Sequence, residues 1–213
     1  MTKNYEQLYS KPDLYWGSEP SELVKKFAEF APEGKALDLG MGEGRDALYL
    51  ASLGYDVTGV EATDSGVLKC EKLAQLKKLE VKAVCEDAVD FAIAKNRFAI
   101  ISCINLFQFI SKRDTAKIIT RAVTGLKKEG LFFCSVFTVD DPSYKVRKQK
   151  TREIDSGVFL DSSGHVYSLY AYGELLKCCD GLRPIYYREF DFYDTAHGPS
   201  HWHGVAELVG KKT

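Results

Sequence analysis

The residues whose types and spacing could do chemistry are concentrated in Leu37-Asp38-Leu39-Gly40-Met41-Gly42-Glu43-Gly44-Arg45, where glycines alternate behind an aspartate. Glycine adopts positive φ at little cost and lets a ligand come close to the backbone, so a loop of this kind between a strand and a helix can cradle a ligand. A dinucleotide loop would read G-x-G-x-x-G, with a pyrophosphate over the helix N-terminus. Here Arg45 stands where the third glycine of that pattern belongs. The order is instead D-x-G-x-G-x-G, and the carboxylate of Asp38 suits a ligand with a cationic amino end better than it suits a pyrophosphate. A tight strand-to-helix turn with no ligand is the plain alternative.

Further candidates follow in chain order. Glu61 closes the strand-like run Asp56–Val60, where an acid can accept hydrogen bonds from both hydroxyls of a ribose; a solvated strand-end carboxylate is the other reading. Asp87 and Ala88 follow a third strand-like run, Val81 to Cys85, and Asp87 would serve equally well as a helix N-cap. Asn105 ends a fourth, Phe98 to Ile104, at the carboxyl edge where α/β sheets form sites.

The histidines are His165, His197, His201 and His203. The last three flank one loop, and on a strand His201 and His203 share a face. An imidazole titrates near neutrality, so it can act as a base or hydrogen-bond an oxyanion. His197, His201 and His203 are therefore the candidate acceptor-side group. Packing on a surface hairpin is the alternative, and although the pair could hold a metal, no metal is expected. Lys145, Arg147, Lys148, Lys150 and Arg152 either attract an anion or form a solvated loop. Cys178-Cys179 is read as helix packing.

The elements that must position these groups alternate. Strands are expected at Lys35–Gly40, Asp56–Val60, Val81–Cys85, Phe98–Ile104 and Leu131–Phe137. Helices are expected at Gly44–Leu53, at Ser65–Lys78 with Val67, Leu68, Leu73 and Leu76 inward, and at Arg113–Leu126, stopped by Lys127-Lys128-Glu129-Gly130. A helix over Glu22–Phe30 precedes them. Pro184–Tyr193 and Trp202–Val209 close the chain as an antiparallel pair. The expectation is a Rossmann-like three-layer α/β/α sandwich, with a seven-stranded, mostly parallel sheet and an antiparallel C-terminal strand pair. One domain over 1–213 is expected, with 1–30 as an N-terminal lid and helix segment and 140–170 as a polar insertion near the acceptor side.

Charge balance narrows the partners. With 29 basic and 30 acidic residues, net −1, there is no global field to gather nucleic acid or an anionic membrane. Met1 to Gln7 is polar where a signal peptide would be apolar, and the cysteines are scattered, as reduced buried thiols are. The expectation is a cytoplasmic monomer or homodimer that handles a small molecule.

The glycine loop resembles motif I of the class I methyltransferases. Asp13-Leu14-Tyr15-Trp16-Gly17-Ser18-Glu19-Pro20-Ser21, the run through Arg45-Asp46-Ala47-Leu48, Gly54-Tyr55-Asp56-Val57 and His197-Gly198-Pro199-Ser200-His201-Trp202-His203 are similar to the tellurite-resistance methyltransferase family over most of the chain. Met41 stands where that family has cysteine, and Asp46 where asparagine is common. The resemblance implies S-adenosylmethionine as cofactor, with its methionine part on Asp38, Gly40, Gly42, Gly44 and Arg45 and its ribose on Glu61. It puts the adenine on Asp87 and the Ala88 backbone, Asn105 at the edge of the site, and Tyr15 and Trp16 as a lid, or else as a packing anchor. The implied reaction is methyl transfer to a small acceptor, a metalloid oxyanion such as tellurite or selenite, or a thiol. The alternatives are an organic oxygen or nitrogen acceptor, a nicotinamide-dependent oxidoreductase, and a cofactor-binding protein without turnover.

Overall fold

The computed structural model describes residues 2–195 and 199–213. Helices α1 (Thr2–Tyr9) and α2 (Glu22–Phe27) lead into β1 (Lys35–Leu39), α3 (Arg45–Ser52), β2 (Asp56–Glu61), α4 (Asp64–Lys77) and β3 (Val81–Cys85). They are followed by β4 (Phe98–Ile104), α5 (Lys112–Gly125) and β5 (Leu126–Phe137). The last third holds α6 (Pro142–Lys150), β6 (Arg152–Asp155), β7 (Val158–Leu160), β8 (Val166–Ser168), α7 (Glu174–Cys178), β9 (Arg183–Asp194) and β10 (His201–Lys211).

The main sheet has the order β3-β2-β1-β4-β5-β10-β9. Strands β1 to β5 pair in parallel, and β10 runs antiparallel to both β5 and β9. The expected seven-stranded, mostly parallel sheet is present. Strand alternation sends Leu37, Ile101, Phe132 and Cys134 to one face, against Ile118, Ile119 and Ala122 of α5 and Leu175 of α7. The residues between them, Ala36, Ile100, Leu131 and Phe133, pack on the other face with α2, α3 and α4. Burying both faces makes the central strands largely apolar, as a parallel sheet between helix layers demands, while the edge strands β3 and β9 stay partly exposed. Strand order reverses between β1 and β4, which opens a crevice at their carboxyl ends.

The helices begin where short side chains can cap them. Thr63 accepts from Gly66 N–H on α4, Ser111 from Asp114 N–H on α5, and Asp141 from Ser143 N–H on α6, each such cap being worth about 1 kcal/mol. Gly44 is the N-cap of α3 at φ +90°, and a Cβ there would lie 2.4 Å from Cys70 Sγ. Gly44→Ala is thus expected to cost about 2–4 kcal/mol through left-handed strain and overpacking. Urea unfolding would measure it, and an unchanged midpoint would mean that α3 and α4 separate freely.

Several expectations need correction. Leu68 and Leu76 do not face inward; they are 65% and 70% exposed. The buried side of α4 is Val67, Cys70 and Ala74, small residues that let the helix approach Gly44 closely. Helix α5 stops at Gly125, one residue short of the expected Leu126, and β5 begins at Leu126 rather than at Leu131, because Leu126 is already extended and pairs with Phe98. Cys85 is exposed, although every cysteine is a free thiol. The segment from 140 is not merely polar: β6, β7 and β8 form a small antiparallel sheet that buries Val158 and Phe159. Helix α1 also went unforeseen. No helix among the described residues is long and apolar enough to cross a membrane.

Candidate functional site

The crevice between β1 and β4 is a deep cleft. Of the residues singled out in the sequence, Trp16, Asp38, Gly40, Gly42, Arg45, Glu61, Asp87, Ala88 and Asn105 line it. Tyr15 and Gly44 fall outside the lining: Gly44 packs on Cys70, and Tyr15 stands edge-on to Trp16 with ring centres 4.7 Å apart.

Asp38, the last residue but one of β1, has its carboxylate buried. Ser102 Oγ donates to Oδ1 at 2.6 Å, while Oδ2 is buried with no hydrogen-bond partner. Burial, joined by the neighbouring Asp46 carboxylate, pushes Asp38 up to about 7. A buried acceptor left unpaired costs about 1–3 kcal/mol, and a cationic ligand is what would satisfy it. Asp46 is itself buried and accepts from Ser21 N–H at 2.6 Å; burial raises its carboxyl too, against the pull of Arg45.

Glu61 ends β2 and is tied to the glycine loop. Gly42 N–H donates to Oε2 at 3.0 Å, and the Thr63 amide and hydroxyl donate to Oε1 at 3.1 and 2.8 Å. Burial raises its carboxyl in spite of these bonds. Asp87 accepts from Val89 N–H at 2.8 Å, so it caps a turn while lining the cleft. Asn105, at φ +51°, donates its N–H to Ser135 Oγ at 3.0 Å, and Ser135 Oγ–H returns to Asn105 Oδ1 at 2.9 Å. Met41 fills the space over Gly59.

An aromatic lid covers the loop. Trp16 Nε1–H donates to Tyr9 Oη at 2.9 Å, and the Tyr5 ring stacks on Trp16 and meets Phe109 edge-on. A half-buried lysine ties this cluster to the loop. Lys69 donates to Glu43 Oε1 and to the Lys11 and Asp13 carbonyls at 2.7–2.9 Å, while Arg45 Nη1 donates to Trp16 O at 3.2 Å. Tyr5, Tyr9, Glu43, Lys69 and Phe109 were missed in the sequence. The spacing of Tyr5 and Tyr9, i and i+4 on a helical face, was the signal that could have found the first two.

His201 and His203 lie at the same sheet edge but outside the cleft lining. His201 and His203 do share a face, with ring centres 4.5 Å apart. His203 stacks on Phe137 at 4.3 Å and donates from Nδ1 to Asp141 Oδ2 at 2.7 Å. His165 pairs instead with Asp161 in the insertion, and His197 lies outside the described residues. Asp194 connects this group to the lid: burial raises the Tyr15 phenol, and the Asp194 charge adds to it. The Arg147 guanidinium lies 3.5 Å over the Tyr167 ring, and Tyr167 meets Phe109 of the cleft wall.

Residues 36–130 match the family described as methyltransferase domain. The chain is 32% identical over 85 residues to the probable S-adenosyl-L-methionine-dependent methyltransferase TehB of Haemophilus influenzae, covering 40% of this chain and 29% of that one. It is 28% identical over 147 residues to the 23S rRNA (uracil(747)-C(5))-methyltransferase of Pyrococcus abyssi, covering 67% and 33%. The chain thus spans about a third of the length of these two relatives. Against the 2-heptyl-1-hydroxyquinolin-4(1H)-one methyltransferase of Mycobacteroides abscessus it is 28% identical over 176 residues, covering 79% and 78%. A solved SAM-dependent methyltransferase from Methanosarcina mazei superposes with a TM-score of 0.74 at 19% identity, covering 88% and 96%. The likeness to the tellurite-resistance methyltransferase is distant. The family match runs through the strands that carry the cleft, and over residues 36–130 the chain is similar to S-adenosylmethionine-dependent methyltransferases.

Proposed function

We propose that the chain moves a methyl group from S-adenosylmethionine to a small-molecule acceptor, an oxygen, nitrogen or sulfur nucleophile on a flat apolar body. The cleft wall is the observation that carries this reading: Tyr5, Tyr9, Trp16, Leu106, Phe109 and Ile110 line it. Its charged lining is Asp38, Glu43, Asp46, Glu61, Glu86 and Asp87 against Arg45. A field of that sign favours a cationic cofactor and opposes a multiply charged anion. A thiol therefore suits the cleft better than tellurite or selenite does. The Mycobacteroides relative, whose length the chain covers best of the three sequence relatives, is named for a flat heteroaromatic acceptor.

When bound, the cofactor supplies a methyl group already activated on a sulfonium. The chain's own part is to hold, orient and exclude water. Asp38 pairs with the amino end, Glu61 accepts from the ribose hydroxyls, and Asp87 with the Ala88 backbone holds the adenine edge. Tyr5, Tyr9 and Trp16 give the cation aromatic faces and keep water out. Asn105 and the His201–His203 group serve the acceptor.

The test is a panel of aromatic thiols, phenols, amines and metalloid oxyanions, with S-adenosylhomocysteine formation as the readout. Turnover is expected among the aromatic nucleophiles, and turnover of the oxyanions alone would overturn the acceptor class. Glu61→Ala should weaken cofactor binding by about 1–3 kcal/mol, the scale of lost charge-assisted hydrogen bonds. The same loss should appear with adenosine alone in calorimetry, and an unchanged constant would move the ribose elsewhere.

A further inference from the structure

We propose that Asp194, His201 and His203 form a binding site for a divalent transition-metal ion of the zinc type, beside the methyl-transfer cleft. One donor atom from each lies within 4.8 Å of the others, a spacing that coordination bonds of about 2 Å close with small side-chain shifts.

Hydrogen bonding sets both rings in the tautomer that coordination needs. A carbonyl oxygen only accepts, so the 2.8 Å contact between His201 Nδ1 and Pro199 O puts the proton on Nδ1. The 2.7 Å contact of His203 Nδ1 with the Asp141 carboxylate does the same for the second ring. In the neutral ring, a proton on Nδ1 leaves the lone pair on Nε2. Metal-binding histidines characteristically give their other N–H to a carboxylate or a backbone carbonyl, which orients the ring and raises its basicity. Here one ring has each kind of partner.

The position of the rings is also held. His203 is stacked on Phe137, and Asp141 is fixed in turn as the cap of α6. His201 and His203 alternate on β10, opposite Asp194 and Phe192 of β9 in the antiparallel register, so the hairpin brings all three donors to its end. Two imidazoles and one carboxylate favour zinc, cobalt, nickel or ferrous iron over magnesium or calcium. Three protein ligands leave a coordination position for water or for an acceptor heteroatom. Only that last role rests on the acceptor reading above; binding of the ion does not.

The experiment uses the full chain, stripped with EDTA and desalted. Zn²⁺ is titrated by calorimetry and Co²⁺ by its visible absorption, which reports coordination directly. One ion per chain is expected, with affinity falling at least about 100-fold in Asp194→Asn and in His201→Gln. Asp141→Asn, which keeps all three ligands, should lose about 10–100-fold. Circular dichroism and melting curves verify that each variant is folded. No saturable binding, or binding that survives both Asp194→Asn and His201→Gln, would overturn the site. An ion bound by a chain that methylates nothing in the panel supports the site and removes the acceptor reading. Methyl transfer by a chain that binds no ion does the reverse.

Discussion

Asp38→Asn is expected to weaken S-adenosylmethionine binding by about 100-fold while raising the melting temperature of the ligand-free chain. The two effects have one origin. Without ligand, Asp38 is a buried carboxylate with one oxygen unpaired and Asp46 as a like-charged neighbour, an arrangement that destabilises the fold. In the proposed binding mode that oxygen pairs with the amino end of the ligand, and removing half of a buried ion pair costs about 3 kcal/mol or more. A variant that lost both stability and affinity would mark Asp38 as a packing residue.

The same group sets a pH dependence. Asp38 is raised to about 7 in the folded chain, against about 3.9 for an unfolded aspartate. Across roughly pH 4 to 7 the folded state holds a proton that the unfolded state has released, so ligand-free stability falls as pH rises through that window. Binding a cation needs the ionised form. Affinity should therefore climb as pH rises from about 6 to 8, with a proton released on binding below about 7. Asp46→Asn removes the like charge, lowers the Asp38 titration and flattens the climb. Calorimetry in two buffers of different ionisation enthalpy measures both, and a flat affinity in the unmodified chain would contradict the assignment.

His203→Ala is expected to lower kcat/KM for methyl transfer about 10²–10³-fold and leave the S-adenosylmethionine dissociation constant within about twofold. His203 is outside the cleft lining, yet it sits at the carboxyl edge of β5, held by Asp141 and Phe137. Its loss also strands the buried Asp141 carboxylate, which should cost about 1–3 kcal/mol of stability. His201→Ala, at a more exposed ring, separates the two effects: kinetics should suffer while melting changes little. Full turnover in a folded His201→Ala chain, with His203→Ala impaired only in proportion to its stability, would make these histidines structural.

The βα alternation and the glycine loop were legible because they depend on local rules. Burial on both sheet faces makes strands such as Phe98–Ile104 apolar but for Ser102, and positive φ restricts Gly40 and Gly42 to glycine. What stayed hidden depends on contacts between distant segments. Leu68 and Leu76 match a helical stripe, but the inner side of α4 is chosen by how closely Cys70 must approach Gly44, and no pattern within the helix reveals that. Lys69 looks like any exposed helix lysine until Glu43 and the Lys11 and Asp13 carbonyls converge on it. Asp194 carries no signal of its own; the β9–β10 register brings it opposite His201. Val158 and Phe159 sat in a polar stretch too short for periodicity to separate a strand from a loop.

Calorimetric titration of the chain with S-adenosylhomocysteine, S-adenosylmethionine and NAD bears most directly on the cleft between β1 and β4. One site for each adenosyl ligand is expected, both weakened by Glu61→Ala, with no heat from NAD. Binding of NAD with neither adenosyl ligand binding would contradict the account.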